Sequence, residues 1–172
     1  VVRNGLSSLF EMPITQANLI EEFAAGKSAY ALFQDSISRY EAHYAMDGKT
    51  ITYVSRKDDS ADIWTYDFTT KKEKQLTIDP RTEGHPTFSN DGEYVYFDAD
   101  WAGGRSIWKV SISGGMPSPV TRDKTPYGSD QEPNWSPDGQ WLAITRSWYD
   151  DADIWLYKPQ EGEKTSRTLS KD

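Results

Sequence analysis

The sequence predicts an all-β chain assembled from a repeated sheet of four antiparallel strands, and three observations carry that prediction. An Asp-Gly pair occurs at Asp47-Gly48, Asp91-Gly92 and Asp138-Gly139, and a Trp follows each Gly by 16 residues, at Trp64, Trp108 and Trp155. The flanking positions match in kind. An aromatic lies four residues before each Gly (Tyr44, Phe88, Trp135), and apolar residues lie three and five after it (Ile51 and Tyr53, Val95 and Phe97, Leu142 and Ile144). The second and third copies begin 44 and 47 residues after the one before, a period that belongs to propellers, solenoids or arrays.

Residues 1–37 lack the full unit. Leu9-Phe10 reads as a weak version of the Ile-Trp pair, making residues 5–14 the third strand of an earlier sheet with Leu19, Ile20 and Phe23 near its last strand. The competing reading is a short helix from Thr15, with Ile20, Phe23 and Ala24 on one face and Gly26 as its stop. Ala29 to Phe33 is apolar and reads as ordered. From Ser38 onward the elements follow from the repeat. Asp-Gly between short apolar runs is a strong hairpin signal, because both residues tolerate the positive φ of a tight primed turn. It pairs residues 40–45 with 50–55, 84–89 with 93–98, and 131–136 with 140–146. A third strand holds each Ile-Trp, at 61–67, 105–111 and 152–158, and a fourth ends at Leu76-Thr77, Val120-Thr121 and near Leu169. Turn residues separate third from fourth: Thr69 to Lys72, Ser113-Gly114-Gly115, and Pro159 to Gly162. The units are then 38–79, 80–124 and 125–172, preceded by a partial unit or linking segment over 1–37.

Both faces of these strands are apolar. In one strand Tyr94 and Tyr96 point one way and Val95 and Phe97 the other; in the next, Trp108 and Val110 share a face opposite Ile107. Such a sheet must be covered on both sides, which stacked blades achieve and a lone repeat does not. A β-sandwich with coincidental spacing is the alternative, and three matched copies weigh against it.

The totals narrow the function classes. At 172 residues the chain buries a real core, and 7 Trp, 10 Tyr and 6 Phe are too many aromatics for a disordered one. A net charge of -8 argues against phosphate-backbone binding. With no Cys there is neither a disulfide nor a thiolate metal site. No apolar run approaches the roughly 20 residues of a membrane-spanning helix. The chain opens Val1-Val2-Arg3 without a Met or a signal-peptide pattern, which fits a mature or excised piece.

Copy three reads Pro133-Asn134-Trp135-Ser136-Pro137-Asp138-Gly139 and then Asp153-Ile154-Trp155. Copy two reads Pro86-Thr87-Phe88-Ser89-Asn90-Asp91-Gly92, then Ser106-Ile107-Trp108 and Val120-Thr121. Copy one has Ala42 in place of the Pro and ends Asp62-Ile63-Trp64 and Leu76-Thr77. These residues resemble the TolB-like branch of the WD40-like β-propeller repeats. The resemblance covers residues 38–172 and implies a β-propeller of four-stranded antiparallel blades, three of them clear, with a partial or degenerate N-terminal one. It is specific for fold and poor for function, since signature residues build blades. Members include periplasmic TolB, other cell-envelope binding proteins and the propeller domains of prolyl-oligopeptidase-type peptidases, so it implies an extracytoplasmic bacterial location. Closed propellers have ~4–8 blades. The chain therefore reads as a fragment of a larger ring, with further blades from the same chain or another subunit. A four-bladed ring, with residues 1–37 as a degenerate blade, is the alternative.

Strand alternation puts the tight turns at one end of the ring and the longer loops and inter-blade links at the other. Exposed loops on a rigid scaffold commonly carry binding. The candidate binding residues there are Trp101, Trp148, Tyr149, Arg81 and Tyr127, and the competing reading is that the aromatics cover neighbouring blades. Seven residues before each Gly stand Glu41, His85 and Glu132, at the start of the innermost strand. They face the central channel in this reading and suit a cation or a basic peptide, or else they hydrate the channel. The acids Asp58, Asp59 and Asp62, then Asp98 and Asp100, then Asp150, Asp151 and Asp153 offer oxygen ligands. They read better as solvated turn residues, with Asp62 and Asp153 capping backbone N–H groups. No metal or cofactor is expected. Catalytic motifs are missing: no G-x-S-x-G, H-E-x-x-H, P-loop or G-x-G-x-x-G is present. His43 and His85 are unmatched, a poor fit to the metal-binding histidines of lyases on a related propeller. The expectation is a non-enzymatic scaffold of the bacterial cell envelope that binds a protein or peptide. The alternative is the propeller portion of a prolyl-oligopeptidase-type peptidase or other hydrolase with its nucleophile elsewhere. A sensor domain on a membrane regulator ranks below both.

Overall fold

The Asp-Gly segments turn the chain where the spacing places them, and the strands between them form three sheets. In the computed structural model the described residues are 10–11, 30–33, 35–57, 59–101, 104–121, 128–149, 151–159 and 167–168. A two-stranded ribbon comes first, β1 (Phe10–Glu11) antiparallel to β2 (Tyr30–Ala31). The first blade is β3 (Ser38–Tyr44), β4 (Thr50–Lys57), β5 (Ser60–Asp67) and β6 (Lys72–Gln75). The second is β7 (Glu83–Phe88), β8 (Tyr94–Ala99), β9 (Ser106–Ser111) and β10 (Ser118–Pro119). The third is β11 (Gly128–Trp135), β12 (Leu142–Trp148), β13 (Asp151–Tyr157) and β14 (Arg167–Thr168). Each sheet is antiparallel with strands in sequence order, and β3, β7 and β11 lie side by side at the inner edge. Leu9 and the helix weighed from Thr15 through Gly26 fall outside the described residues.

The hairpins differ from the tight primed turn that Asp-Gly suggests. Gly48, Gly92 and Gly139 take φ of +66°, +72° and +69°, and the Asp before each does not take positive φ. The Asp instead works through its side chain. At Ser89 the hydroxyl donates to Asp91 Oδ1 at 2.5 Å and accepts the Tyr94 N–H at 3.0 Å, while Asp91 Oδ1 also accepts the Glu93 N–H at 2.9 Å. Ser136, Asp138, Gln140 and Trp141 repeat the pattern. A four-residue loop closed by side chains does the work of the shorter turn.

The fourth strand is short, and a hydroxyl extends it. Leu76 N–H donates to the Ile63 carbonyl at 2.9 Å, and Ile63 N–H donates to Thr77 Oγ1 at 2.8 Å. Val120 and Thr121 hold Ile107 in the same way, at 2.8 and 3.1 Å. The Leu-Thr or Val-Thr pair therefore satisfies both backbone groups of the blade's Ile after the strand itself has left, and buried groups of this kind need partners.

Packing follows the two-faced pattern. Val95, Phe97, Val110 and Trp108 pack with Val54, Ile63 and Leu76 of the first blade. On the other side Tyr94, Tyr96 and Ile107 pack with Leu142, Ile144, Tyr157 and Trp155 of the third. Trp64, Trp108 and Trp155 lie opposite Tyr53, Phe97 and Ile144 in register, and each faces what precedes its blade. For Trp64 that neighbour is Leu32 and Phe33, from the apolar stretch before the first blade. Arg39, 3% exposed, lays its guanidinium 3.9 Å from the Phe33 ring and pairs with Asp35 at 2.7 Å, sealing that face.

Ile63 and Ile107 are 0% exposed because a blade follows theirs, whereas Ile154 in the third blade is 46% exposed. Ile107→Ala is expected to cost about 2–5 kcal/mol, the usual range for a buried Ile. Ile154→Ala is expected to cost no more than about 1 kcal/mol, since half its area is already wet. Urea unfolding of the two variants checks the difference.

Candidate functional site

At the inner edge each blade's first strand is broken by a bulge, and the three bulges assemble the candidate site. The register of β3 against β4 slips between Tyr40 and His43, that of β7 against β8 between Gly84 and Thr87, and that of β11 against β12 between Gln131 and Asn134. Within these slips Glu41, His85 and Glu132 take φ of 55°, 50° and 55°. A left-handed backbone is unfavourable for residues with a Cβ and persists where surroundings enforce it. At His85 and Glu132 the enforcement is hydrogen bonding between blades. The His85 N–H donates to Glu41 Oε2 at 2.6 Å, and the Glu132 N–H donates to Asp98 Oδ2 at 3.0 Å. The second and third bulges are thus each tied by a carboxylate of the blade before.

The side chains converge as well. His85 Nδ1 lies 2.7 Å from Asp98 Oδ2, and its Nε2 lies 3.8 Å from Glu41 Oε1 and 3.9 Å from Glu132 Oε1. Asp98 is 0% exposed and its second oxygen accepts from Arg105 Nε. Glu132 Oε2 accepts from the Thr145 hydroxyl at 3.0 Å. Glu41, His85 and Glu132 keep part of their surface in solvent. The hydrogen bond from Asp98 raises the His85 pKa above its ordinary value, and the nearby charges of Asp98, Glu41 and Glu132 add to the rise against the opposing effect of burial. Three carboxylates from three blades thus face one imidazole and one guanidinium, and the cluster favours positive charge. Ordered hydrogen bonds and charge selection are what it can supply.

The sequence grouped Glu41, His85 and Glu132, and the structure brings them together. It adds Asp98, which the sequence read as a solvated turn acid and which is buried, and Arg105, the first residue of the expected third strand. Their signal was the acid itself: Asp98 stands six residues after its Gly, where the other copies hold Val54 and Thr145.

The loop-end residues are less convergent. Trp101 packs edge-on to Phe97 at 5.5 Å and lies 4.8 Å from Trp108, so it covers the seam between the first two blades. Arg81 joins it by donating from Nη1 to the Trp101 carbonyl at 2.6 Å, with Asp79 holding its Nε at 2.8 Å. Trp148 lies on the third blade, 5.8 Å from Trp155, beside the Arg146 guanidinium. Tyr149 is 79% exposed at φ 52°. Tyr127, Asp58 and Asp150 lie outside the described residues. Asp62 is buried and accepts the Asp79 N–H at 3.3 Å, so its cap is on the inter-blade link. A cleft of about 770 Å³ opens at the opposite, turn end between the first two blades, over Ala45, Phe88 and Ile112. Its carboxylates Asp47, Asp67 and Asp91 are engaged with turn N–H groups, and Glu73 accepts from Arg39 and the Tyr53 hydroxyl, so each of these acids is already committed.

The profile of the TolB beta propeller domain family matches residues 40–171. The chain belongs to that family. Among curated relatives, the uncharacterized protein Atu1656 of Agrobacterium fabrum is 29% identical over 123 residues, covering 72% of this chain and 40% of that protein. The uncharacterized peptidase YuxL of Bacillus subtilis is 30% identical over 118 residues, 64% of this chain and 18% of that protein. Among solved structures, the putative TolB from Agrobacterium tumefaciens superimposes with a TM-score of 0.80 at 24% identity, over 98% of this chain and 58% of that one. The chain spans less than half the length of these curated relatives and shares the fold of the solved one. TolB-type blades are thus established, and related propellers also occur in peptidases.

His85 gives the cluster a pH dependence with a definite sign. Its folded pKa lies above the ordinary 6.5, so the stability it contributes is full below about 6.5 and is lost as pH rises through the raised value. His85→Gln is expected to flatten that part of the profile, read as the wild-type minus variant Tm difference at pH 6 and at pH 9.

Proposed function

We propose that the chain is a non-enzymatic propeller scaffold of the bacterial cell envelope that binds a protein or peptide partner at its channel mouth. The observation that carries this reading is the convergence of Glu41, His85, Asp98 and Glu132, drawn from three blades, on one partly exposed spot at the inner edge. The partner chemistry it suits is a basic side chain in an extended segment. Arg81 and Trp101 at the loop end, with Trp148 and Tyr149 on the third blade, offer a second set of contacts around it. The extracytoplasmic location rests on family membership. In the same reading the outer face of the third blade, where Ile154 is half exposed, takes a further blade from the same chain or another subunit. The second reading is the propeller portion of a hydrolase, favoured by the similarity to the uncharacterized peptidase of Bacillus subtilis.

The test is fluorescence anisotropy with a labelled Gly-Lys-Gly-Lys-Gly peptide. Partly exposed ion pairs contribute up to about 1 kcal/mol each, so Glu41→Gln with Glu132→Gln is expected to weaken binding about three- to tenfold. Asp47→Asn with Glu93→Gln removes the same charge from the distant turns and is expected to leave binding unchanged. Equal losses from both pairs would reduce the effect to net charge. Ester and peptide hydrolysis by the purified chain is expected to be blank, and turnover retained through purification would overturn the non-enzymatic reading.

A further inference from the structure

The two seams between blades are built on the same plan and differ in one charge. Nine residues before the turn Gly, the second blade carries Glu83 and the third carries Asp130. Both are buried against the blade before, at 1% and 0% exposure. Asp130 is answered by a guanidinium: Arg146 Nε lies 2.5 Å from Oδ1 and Nη2 lies 2.7 Å from Oδ2. The position of Arg146, seven residues after the Gly, is Ala99 in the second blade, and Ala99 stands directly opposite Glu83. Glu83 has no cation in its place. Its Oε2 accepts the Ile63 N–H at 3.2 Å and a hydrogen bond from the Thr77 hydroxyl, and its Oε1 meets no hydrogen-bond partner among the described residues.

Charged neighbours make ionisation of Glu83 worse. Asp62 on β5 and Asp79 on the link are acids whose charges oppose it. Arg81 on the link is committed to Asp79 and the Trp101 carbonyl. Burial, joined by the Asp62 and Asp79 charges, lifts the Glu83 pKa to about 8 despite the Thr77 and Ile63 hydrogen bonds. An isolated carboxylate in a closed apolar seam is costly.

We infer that Glu83 is a proton-dependent clasp between the first and second blades: as a neutral acid it lets the seam close, and on ionisation it loosens that seam and leaves the next one shut. The consequence is a joint whose stiffness changes around neutral pH, placed on the link that carries Arg81 to the loop end. The sign follows from the raised pKa. Closure is fullest below the ordinary value of 4.5 and is lost as pH rises through about 8.

Ile63 and Ile107 provide matched reporters, because their amides occupy the same place in the two seams. Hydrogen exchange of the whole chain, corrected for intrinsic rates, is measured from pH 5 to pH 9. Beyond the loss that His85 imposes on both seams and that Ile107 reports, Ile63 protection is expected to fall by about tenfold per pH unit up to about pH 8 and then to level off. Glu83→Gln, which cannot ionise, is expected to bring the Ile63 profile into line with that of Ile107. The idea is overturned if Ile63 and Ile107 lose protection in parallel, if neither responds to pH, or if Ile63 responds equally in Glu83→Gln. Should that variant not fold, the two wild-type amides decide alone.

Discussion

Each blade of this chain is apolar on both faces, and neither face can be left to water. Burying a large aliphatic or aromatic side chain is worth about 1.5–3 kcal/mol, and the second blade commits Val95, Phe97 and Val110 to one neighbour and Tyr96 and Ile107 to the other. No flat two-layer arrangement satisfies such a sheet. Blades must follow one another face to face, and because each twists, their first strands gather at one edge. The candidate site exists because of that gathering. Glu41, His85 and Glu132 come from strands 44 and 47 residues apart in sequence, and only the burial of the blades between them brings them within reach.

The same constraint explains which signature residues recur. The Ile of the third strand is sealed by the following blade and needs both backbone groups answered, which Leu76-Thr77 and Val120-Thr121 do. The Trp beside it faces the preceding blade. The Ser and Asp of the turn close a loop that a bare Gly would leave undetermined. None of these residues reaches the inner edge, so the signature that identifies the family says how a blade is made and is silent about what the ring holds.

The blades were legible in the sequence because they rest on local patterns: Asp-Gly turns, alternating apolar residues and the Ile-Trp pair all act within one copy. Strands placed from spacing alone, such as 50–55 and 61–67, lie inside the observed Thr50–Lys57 and Ser60–Asp67. The turn geometry was less legible, since Asp-Gly favours a primed turn until the Ser hydroxyl two residues before the Asp competes for the backbone, and that competition is decided by side-chain placement. The site was legible in part. Position within the repeat grouped Glu41, His85 and Glu132, but nothing in a single copy says that Asp98 turns its carboxylate to the next blade's Glu132 amide while holding Arg105. The left-handed backbone at three charged residues was also hidden, because it follows from bulges whose only sequence trace is a Pro after His85 and Glu132.

The copies diverge in charge at the inner edge and the seams, and it is there that they acquire individual chemistry. Nine residues before the Gly stand Arg39, Glu83 and Asp130. Arg39 is paired with Asp35 from the segment ahead of the first blade, Asp130 with Arg146 of its own blade, and Glu83 with no ion among the described residues. A repeat that only had to fold would hold one apolar residue at this place in every copy, since a buried ion pair seldom outperforms a hydrophobic substitute. Three different solutions at one structural position mean that the seams are not interchangeable. Where pairing is complete, as at Asp130, the buried charge is answered within its own blade. Where it is incomplete, as at Glu83, the joint inherits a dependence on protons of its own, beside that of His85 at the inner edge. The repeat thus supplies stiffness through what its copies share and responsiveness through the few buried charges in which they differ.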